Sequence, residues 1–168
     1  SGIYLRSFIP GHSWSEADLH NPANLQSLAG VLRQLHQLPP VGRRFNPVGS
    51  AARYAEQVGT SEALDIYRAI EKEFASLPAE TQALCHNDLV CGNILESDRL
   101  MLIDWEWAAV GDPFFDLAVV VQHHGLGGEL AMQFLATYLG EAPSSEEVDR
   151  LERQCRFYEQ LLKLWDLL

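Results

Sequence analysis

The stretch His86-Asn87-Asp88-Leu89-Val90-Cys91-Gly92-Asn93, followed by Ile103-Asp104-Trp105-Glu106, decides how this chain reads. It sets out an Asp that can accept a hydroxyl proton, an Asn five residues later that can reach a metal, and a second Asp a short hairpin further on. A turn over residues 89–92, for which Gly92 is suited, would fold the chain back. The Asp88 carboxylate would then face an acceptor hydroxyl while the Asn93 amide oxygen points at a cation. Amide and carboxylate oxygens are the hard donors magnesium prefers, and magnesium keeps several waters, so this pair of ligands suffices without His or Cys.

Such a set suits phosphoryl transfer, in which the protein does little covalent chemistry and works by positioning and charge neutralisation. The His-x-Asp and Asp-to-Asn spacings match a protein-kinase catalytic loop, but Asn87 stands where those enzymes carry Arg, and Asp104-Trp105-Glu106 where they carry Asp-Phe-Gly. Further on, Gly111-Asp112-Pro113-Phe114-Phe115-Asp116-Leu117-Ala118 reads as a turn and the opening of an apolar helix capped at Asp112. A lone Asp in a loop is usually a turn former or a helix cap. The order and separation of His86, Asp88, Asn93, Asp104, Asp112 and Asp116 carry the argument instead.

Residues 84–125 resemble the Brenner motif and following region of the choline kinase and aminoglycoside phosphotransferase superfamily, and the forms HNDLxxGNIL and IDWEWA are similar to those of choline kinases. The resemblance implies Asp88 as catalytic base and Asn93 and Asp104 as magnesium ligands. It implies Asp116 as a buried acid that steadies the loop by accepting backbone hydrogen bonds, His86 as a structural partner of the loop, and Glu106 as a support near the cation. Trp107 and Trp165 match positions that contribute aromatic faces to a quaternary ammonium site, with Tyr158 and Trp105 as weaker candidates. One position departs: seven residues after Asp116, where such sequences tend to carry an acidic residue facing the cation, this chain has His123. The implied reaction is magnesium-dependent transfer of the terminal phosphate of ATP, or of another nucleoside triphosphate, to the hydroxyl of a small cationic alcohol such as choline. Aminoglycoside, thiamine and other small acceptors stay open, and the alternative of a different class is a non-catalytic small-cation-binding domain without a nucleotide lobe. A metal-dependent hydrolase is the weakest reading, since His86 with two carboxylates is a poor zinc set.

The fold expected is α+β and mostly helical: the C-terminal lobe of a protein-kinase-like fold, with a small β-hairpin region carrying the catalytic loop. Strands are predicted at 3–9, 83–85, 94–96 and 100–103, with Ser97-Asp98 as the last turn. Asn21-Pro22 starts a helix whose Leu25, Leu28, Leu32 and Leu35 form one face, ending at Pro39-Pro40. A short helix near 51–57 follows a loop over 41–49. Leu64, Tyr67, Ile70, Phe74 and Leu77 mark another, ended by Pro78. Helices resume at 114–124 and 128–139, and from Ser144, where Ser144 and Glu147 suit a capping box and Val148, Leu151, Cys155, Tyr158, Leu162 and Trp165 continue the apolar face. Residues 1–14 resemble the family's hinge strand and the turn that leaves it, and residues 15–168 its helical lobe. The Gly-rich loop and strand Lys that cover nucleotide phosphates in such enzymes have no counterpart here, because Lys72 and Lys163 both fall on predicted helices. The nucleotide-binding residues are therefore unassigned, and the chain alone is expected to be a weak or inactive catalyst.

Twelve Lys and Arg against 23 Asp and Glu give a formal net charge of −11. That argues against nucleic acid as a partner, since a polyanion would be repelled, and would attract a small cation, although acidic surfaces commonly serve solubility alone. No apolar run approaches the roughly 20 residues needed to span a membrane. The three cysteines, Cys85, Cys91 and Cys155, lack zinc-finger spacing and read as free thiols of a cytoplasmic protein, with Cys91 a small spacer in the loop. His123-His124 does not read as a metal site, because adjacent helix positions do not face one another.

Overall fold

The computed structural model describes residues 8–74 and 82–168. Seven helices and five short strands are assigned among them: β1 (His12–Ser13), α1 (Glu16–Leu19), α2 (Pro22–His36), α3 (Pro47–Val58), α4 (Ser61–Phe74), β2 (Ala83–Cys85), β3 (Ile94–Glu96), β4 (Leu100–Leu102), β5 (Ala109–Gly111), α5 (Pro113–His123), α6 (Gly128–Leu139) and α7 (Ser145–Asp166). The fold is thus mostly helical with two small antiparallel sheets, ordered β1-β3-β4 and β2-β5.

The helix starts follow from local chemistry. Asn21 caps α2 by accepting from the Ala23 N–H at 3.0 Å, with Pro22 in the first turn, where its missing N–H costs nothing. Asn46-Pro47 repeats this device and starts α3 at residue 47, four residues before the expected short helix at 51. Ser144 and Glu147 form the expected capping box on α7, and Ser15 with Asp18 forms a second one on α1, a helix the sequence reading did not foresee.

The predicted strand over 3–9 is not borne out where it can be seen. Residues 3–7 lie outside the described residues, Phe8 and Ile9 belong to no strand, and the pairing falls instead on His12 and Ser13, opposite Glu96 and Leu95. Gly11 allows this approach, since a Cβ there would stand 2.6 Å from the Glu96 carbonyl oxygen. On α4 the buried residues are Ala63, Ile70 and Phe74, while Leu64 turns outward; Leu77 and Pro78 lie outside the described residues. β5, which pairs antiparallel with β2, was not foreseen from the sequence.

The core places the site. Leu25, Leu28, Leu32 and Leu35 are buried along α2, which packs on α6, and each such Leu contributes about 1.5–3 kcal/mol by leaving water. Helix α5 is buried from Pro113 to Val120 and packs on α7 and against β2. Arg150 and Gln154 of α7 bind the carboxylate of Asp112, the cap of α5, so the two helices are locked at the end where Asp116 sits. No helix of the described residues is long and apolar enough to cross a membrane.

Candidate active site

The loop leaving β2 is held from below by one carboxylate. Asp116, fully buried in the first turn of α5, accepts the backbone N–H of His86 at 2.8 Å and that of Asn87 at 2.7 Å. His36, at the end of α2, donates its Nε2 proton to the same carboxylate at 3.0 Å, and the Tyr138 hydroxyl meets the other ring nitrogen at 2.9 Å. Three charge-assisted bonds satisfy a carboxylate that would be costly to bury bare. Asn87 takes a left-handed backbone, φ 67°, which Asn tolerates better than most residues, and its side-chain amide donates to the Trp107 carbonyl. The buried His86 ring bonds the Ile103 carbonyl through Nε2 at 2.9 Å and lies against Trp105.

This scaffold delivers the residues singled out by sequence. Leu89 is buried, and a single 3₁₀ turn over Cys91–Asn93 reverses the chain. Asn93, mostly buried, points its amide nitrogen back at Asp88, at 2.8 Å from the carbonyl and 2.7 Å from the carboxylate. Both bonds use donors, so the Asn93 side-chain oxygen is left over. The Ile103 N–H bonds the Asn93 carbonyl, extending the β3–β4 ladder by one pair, and Asp104 follows directly in an exposed, left-handed conformation, φ 63°. Asp88 and Asn93 are therefore in contact, with Asp104 one residue beyond the pair. An amide oxygen and carboxylates are chemically suited to magnesium. Glu106 lies in the following 3₁₀ turn with an exposed side chain, and its carbonyl accepts from Arg43 at 2.7 Å.

Asp88 lines a groove of about 800 Å³ that also takes in Trp107, Trp165, Tyr54, His123 and Tyr158. The Trp107 and Trp165 rings meet edge to face at 6.0 Å, and Tyr54 backs Trp165 at 5.5 Å. Trp105 does not join them: its indole N–H donates to the Leu102 carbonyl and its ring covers His86. The Tyr158 hydroxyl and His123 Nδ1 share a hydrogen bond at 2.9 Å. Burial, and then the neighbouring His124, hold His123 below the ordinary imidazole range, so a neutral ring faces the groove at neutral pH. Burial and the nearby Asp88 push the Tyr158 phenol up.

Two features were not legible beforehand. Arg43, Arg44 and Arg53 line the same groove, so the local field is not simply that of an acidic chain. Arg43 lies over the Trp107 ring at 5.9 Å, tied down by the Ala108 and Glu106 carbonyls. The His123 and His124 rings do touch, edge to face at 4.8 Å, because α5 ends at His123 and His124 is its cap, but each bonds elsewhere. His124 bonds the Leu89 carbonyl and the Glu16 carboxylate, linking α1 to the loop. Neither contact leaves a sequence signal, since each joins segments more than 30 residues apart.

Comparison with known proteins follows the same lines. The sequence model of the phosphotransferase enzyme family matches residues 1–158. Two LicA proteins of Haemophilus influenzae align over 152 residues, or 84% of this chain; one is 29% identical over 57% of its own length and the other 45% identical over 45%. The chain thus spans about half the length of these curated relatives. Among solved structures, a choline/ethanolamine kinase family protein from Mesorhizobium loti superposes with a TM-score of 0.82 at 21% identity, covering 96% of this chain and 59% of that one. LicA in complex with AMP superposes with a TM-score of 0.75 at 22% identity, covering 94% and 57%.

Proposed function

Because this chain belongs to the phosphotransferase enzyme family, we propose that it is the acceptor-binding and catalytic lobe of a small-molecule kinase that phosphorylates the hydroxyl of a small cationic alcohol of the choline type. The observation that carries this reading is the Asn93–Asp88 contact, which spends the amide protons on the base and leaves the amide oxygen for a cation.

Asp88 accepts the proton of the attacking hydroxyl, and its orientation is set by Asn93 rather than by solvent. Asn93 and Asp104 would hold magnesium, with Glu106 in support. When bound, the ion neutralises charge on the phosphates of the donor nucleotide. A nucleoside triphosphate as donor is supported by the AMP complex of LicA, a fold neighbour. His86, Asp116 and His36 act through the loop backbone, fixing where Asp88 points.

For the acceptor, Trp165 and Trp107 offer aromatic faces and Asp88 and Asp166 offer negative charge in the same groove. A neutral His123 does not repel an ammonium, although it attracts one less than a carboxylate would. The name of the Mesorhizobium loti neighbour supports the same acceptor class. The free thiols agree with a cytoplasmic setting, where nucleoside triphosphates are found.

The test is phosphorylation of a panel of small alcohols by the full-length protein with magnesium and ATP. Asp88→Asn lowers kcat by about 10²–10⁴-fold while circular dichroism and Tm are unchanged. A variant that retains most of its turnover would overturn the assignment of the base.

A further inference from the structure

Cys91, between Asp88 and Asn93 in the loop, has neighbours that a spacer does not need. Its sulfur lies 3.4 Å from Glu16 Oε1 and 3.7 Å from His124 Nδ1, and that nitrogen lies 3.0 Å from the same carboxylate. The three groups come from α1, the loop turn and the cap of α5, and they form one of the clusters whose ligand atoms all fall within 4.8 Å of one another. For a tetrahedral zinc ion with usual Zn–S, Zn–N and Zn–O bonds, ligand atoms stand about 3.3–3.6 Å apart. The observed edges of 3.0, 3.4 and 3.7 Å bracket that spacing.

The histidine is set as a ligand would be. His124 is almost wholly buried, and its Nε2 donates to the Leu89 carbonyl at 3.1 Å, so the ring's second proton site, Nδ1, is the one aimed at Glu16 and Cys91. A metal-bound His usually gives its other N–H to a backbone carbonyl in this way. With Nε2 protonated, Nδ1 and the Glu16 carboxylate are both acceptors at 3.0 Å, and something positive must lie between them: a second ring proton, or an ion. The Glu16 side chain is 62% exposed, which gives an ion a way in and leaves room for a water as fourth ligand.

We propose that Glu16, Cys91 and His124 form a binding site for one zinc-class divalent ion, separate from the magnesium position and seated on the catalytic loop. The donor set of one thiolate, one imidazole and one carboxylate selects zinc or cobalt over magnesium. Binding forms bonds from the ion to sulfur, Nδ1 and a carboxylate oxygen, and releases the thiol proton, with the Nδ1 proton if present, to solvent. The site is independent of the kinase reading and stands or falls with binding to this chain.

The experiment is titration of the 168-residue chain with cobalt(II), followed by displacement with zinc. The expected result is one equivalent bound, with tetrahedral visible bands and a thiolate-to-cobalt charge-transfer band in the near ultraviolet. Cys91→Ser abolishes that band, Glu16→Gln weakens binding by at least about tenfold, and Cys155→Ser leaves it unchanged. Zinc should also protect Cys91 from alkylation. Absence of the charge-transfer band, or its survival in Cys91→Ser, would overturn the site and leave the His124 contact as a protonated imidazole on a carboxylate.

Discussion

Asn93 gives its side-chain amide twice to Asp88, once to the carbonyl at 2.8 Å and once to the carboxylate at 2.7 Å. In the proposed reading, the residue that aims the base would also present its amide oxygen to the cation, which would couple positioning and metal binding in one side chain. Asn93→Asp replaces the donor with a second carboxylate oxygen against Asp88, where like charges repel. The expected outcome is a fall in kcat of about 10²-fold or more, with a higher magnesium concentration needed for half-maximal rate. Steady-state kinetics across magnesium concentrations check this, and an unchanged kcat would remove Asn93 from the site.

Asp116 carries the loop. Its Oδ2 takes the His86 N–H and the His36 ring, and its Oδ1 takes the Asn87 N–H, so both oxygens must be acceptors. Asp116→Asn keeps the shape but turns an amide toward at least one of these donors. A buried donor left without an acceptor, together with the lost charge assistance, costs about 3 kcal/mol. For a chain of this length that corresponds to a Tm lowered by roughly 6–12 °C, read by thermal denaturation. A drop under roughly 2 °C would show that the carboxylate does not hold the loop.

The parts of this site that sequence could show are those made within one short segment. The His86, Asp88 and Asn93 spacing is a single loop, and the Asn21-Pro22 and Ser144/Glu147 starts are local capping chemistry whose physics is complete within four residues. Even there, the same signal at Asn46-Pro47 was passed over because the residues around it looked like loop. His36, Arg43, Glu16 and His124 were invisible for a different reason. Each reaches the loop region only through contacts between segments distant in sequence: Arg43 through its backbone pairing with Val110 of β5, the others because their helices pack around the loop, and nothing in residues 30–40 announces that His36 will lie beside Asp116, 80 positions away. Tyr158 and Trp165 show the opposite case: one apolar helix face serves both core and groove, with Tyr158 buried and Trp165 half exposed although both line the groove, and helical spacing alone does not tell the two uses apart.

The cap of α7 gives a pH-dependent term of known sign. The backbone N–H and hydroxyl of Ser144 both bond the Glu147 carboxylate, and this holds Glu147 below its ordinary value of 4.5. A carboxyl whose folded value is depressed contributes stability that is fully present above the unfolded value and is lost as pH falls through the lowered folded value. Glu147→Gln retains an acceptor for the Ser144 N–H but does not titrate. Its urea midpoint should therefore fall less between about pH 5.5 and about pH 3 than that of the unaltered chain. Asp18 makes the same motif on α1 and leaves a residual slope in both proteins. Equal slopes would show that the α7 cap does not titrate with folding.

Trp165 separates a cation-binding groove from a merely apolar one. Its ring is half exposed, braced edge-on by Tyr54 and facing Trp107, so its removal alters the groove more than the core. An aromatic face contributes about 0.5–2 kcal/mol to holding an ammonium, so Trp165→Ala should raise KM for choline by about two- to thirtyfold in the full-length protein, with kcat little changed. Trp165→Phe should recover part of the loss. The neutral carbon isostere of choline has the same shape and no charge, and its KM should move much less in Trp165→Ala. His123→Glu tests the same groove from the other side: a second carboxylate in the groove that Asp88 lines should lower KM for choline by about 1.5- to fivefold and leave the isostere unaffected. Equal changes for choline and its isostere in both variants would mean that the groove recognises shape alone, and the cationic acceptor would have to be given up.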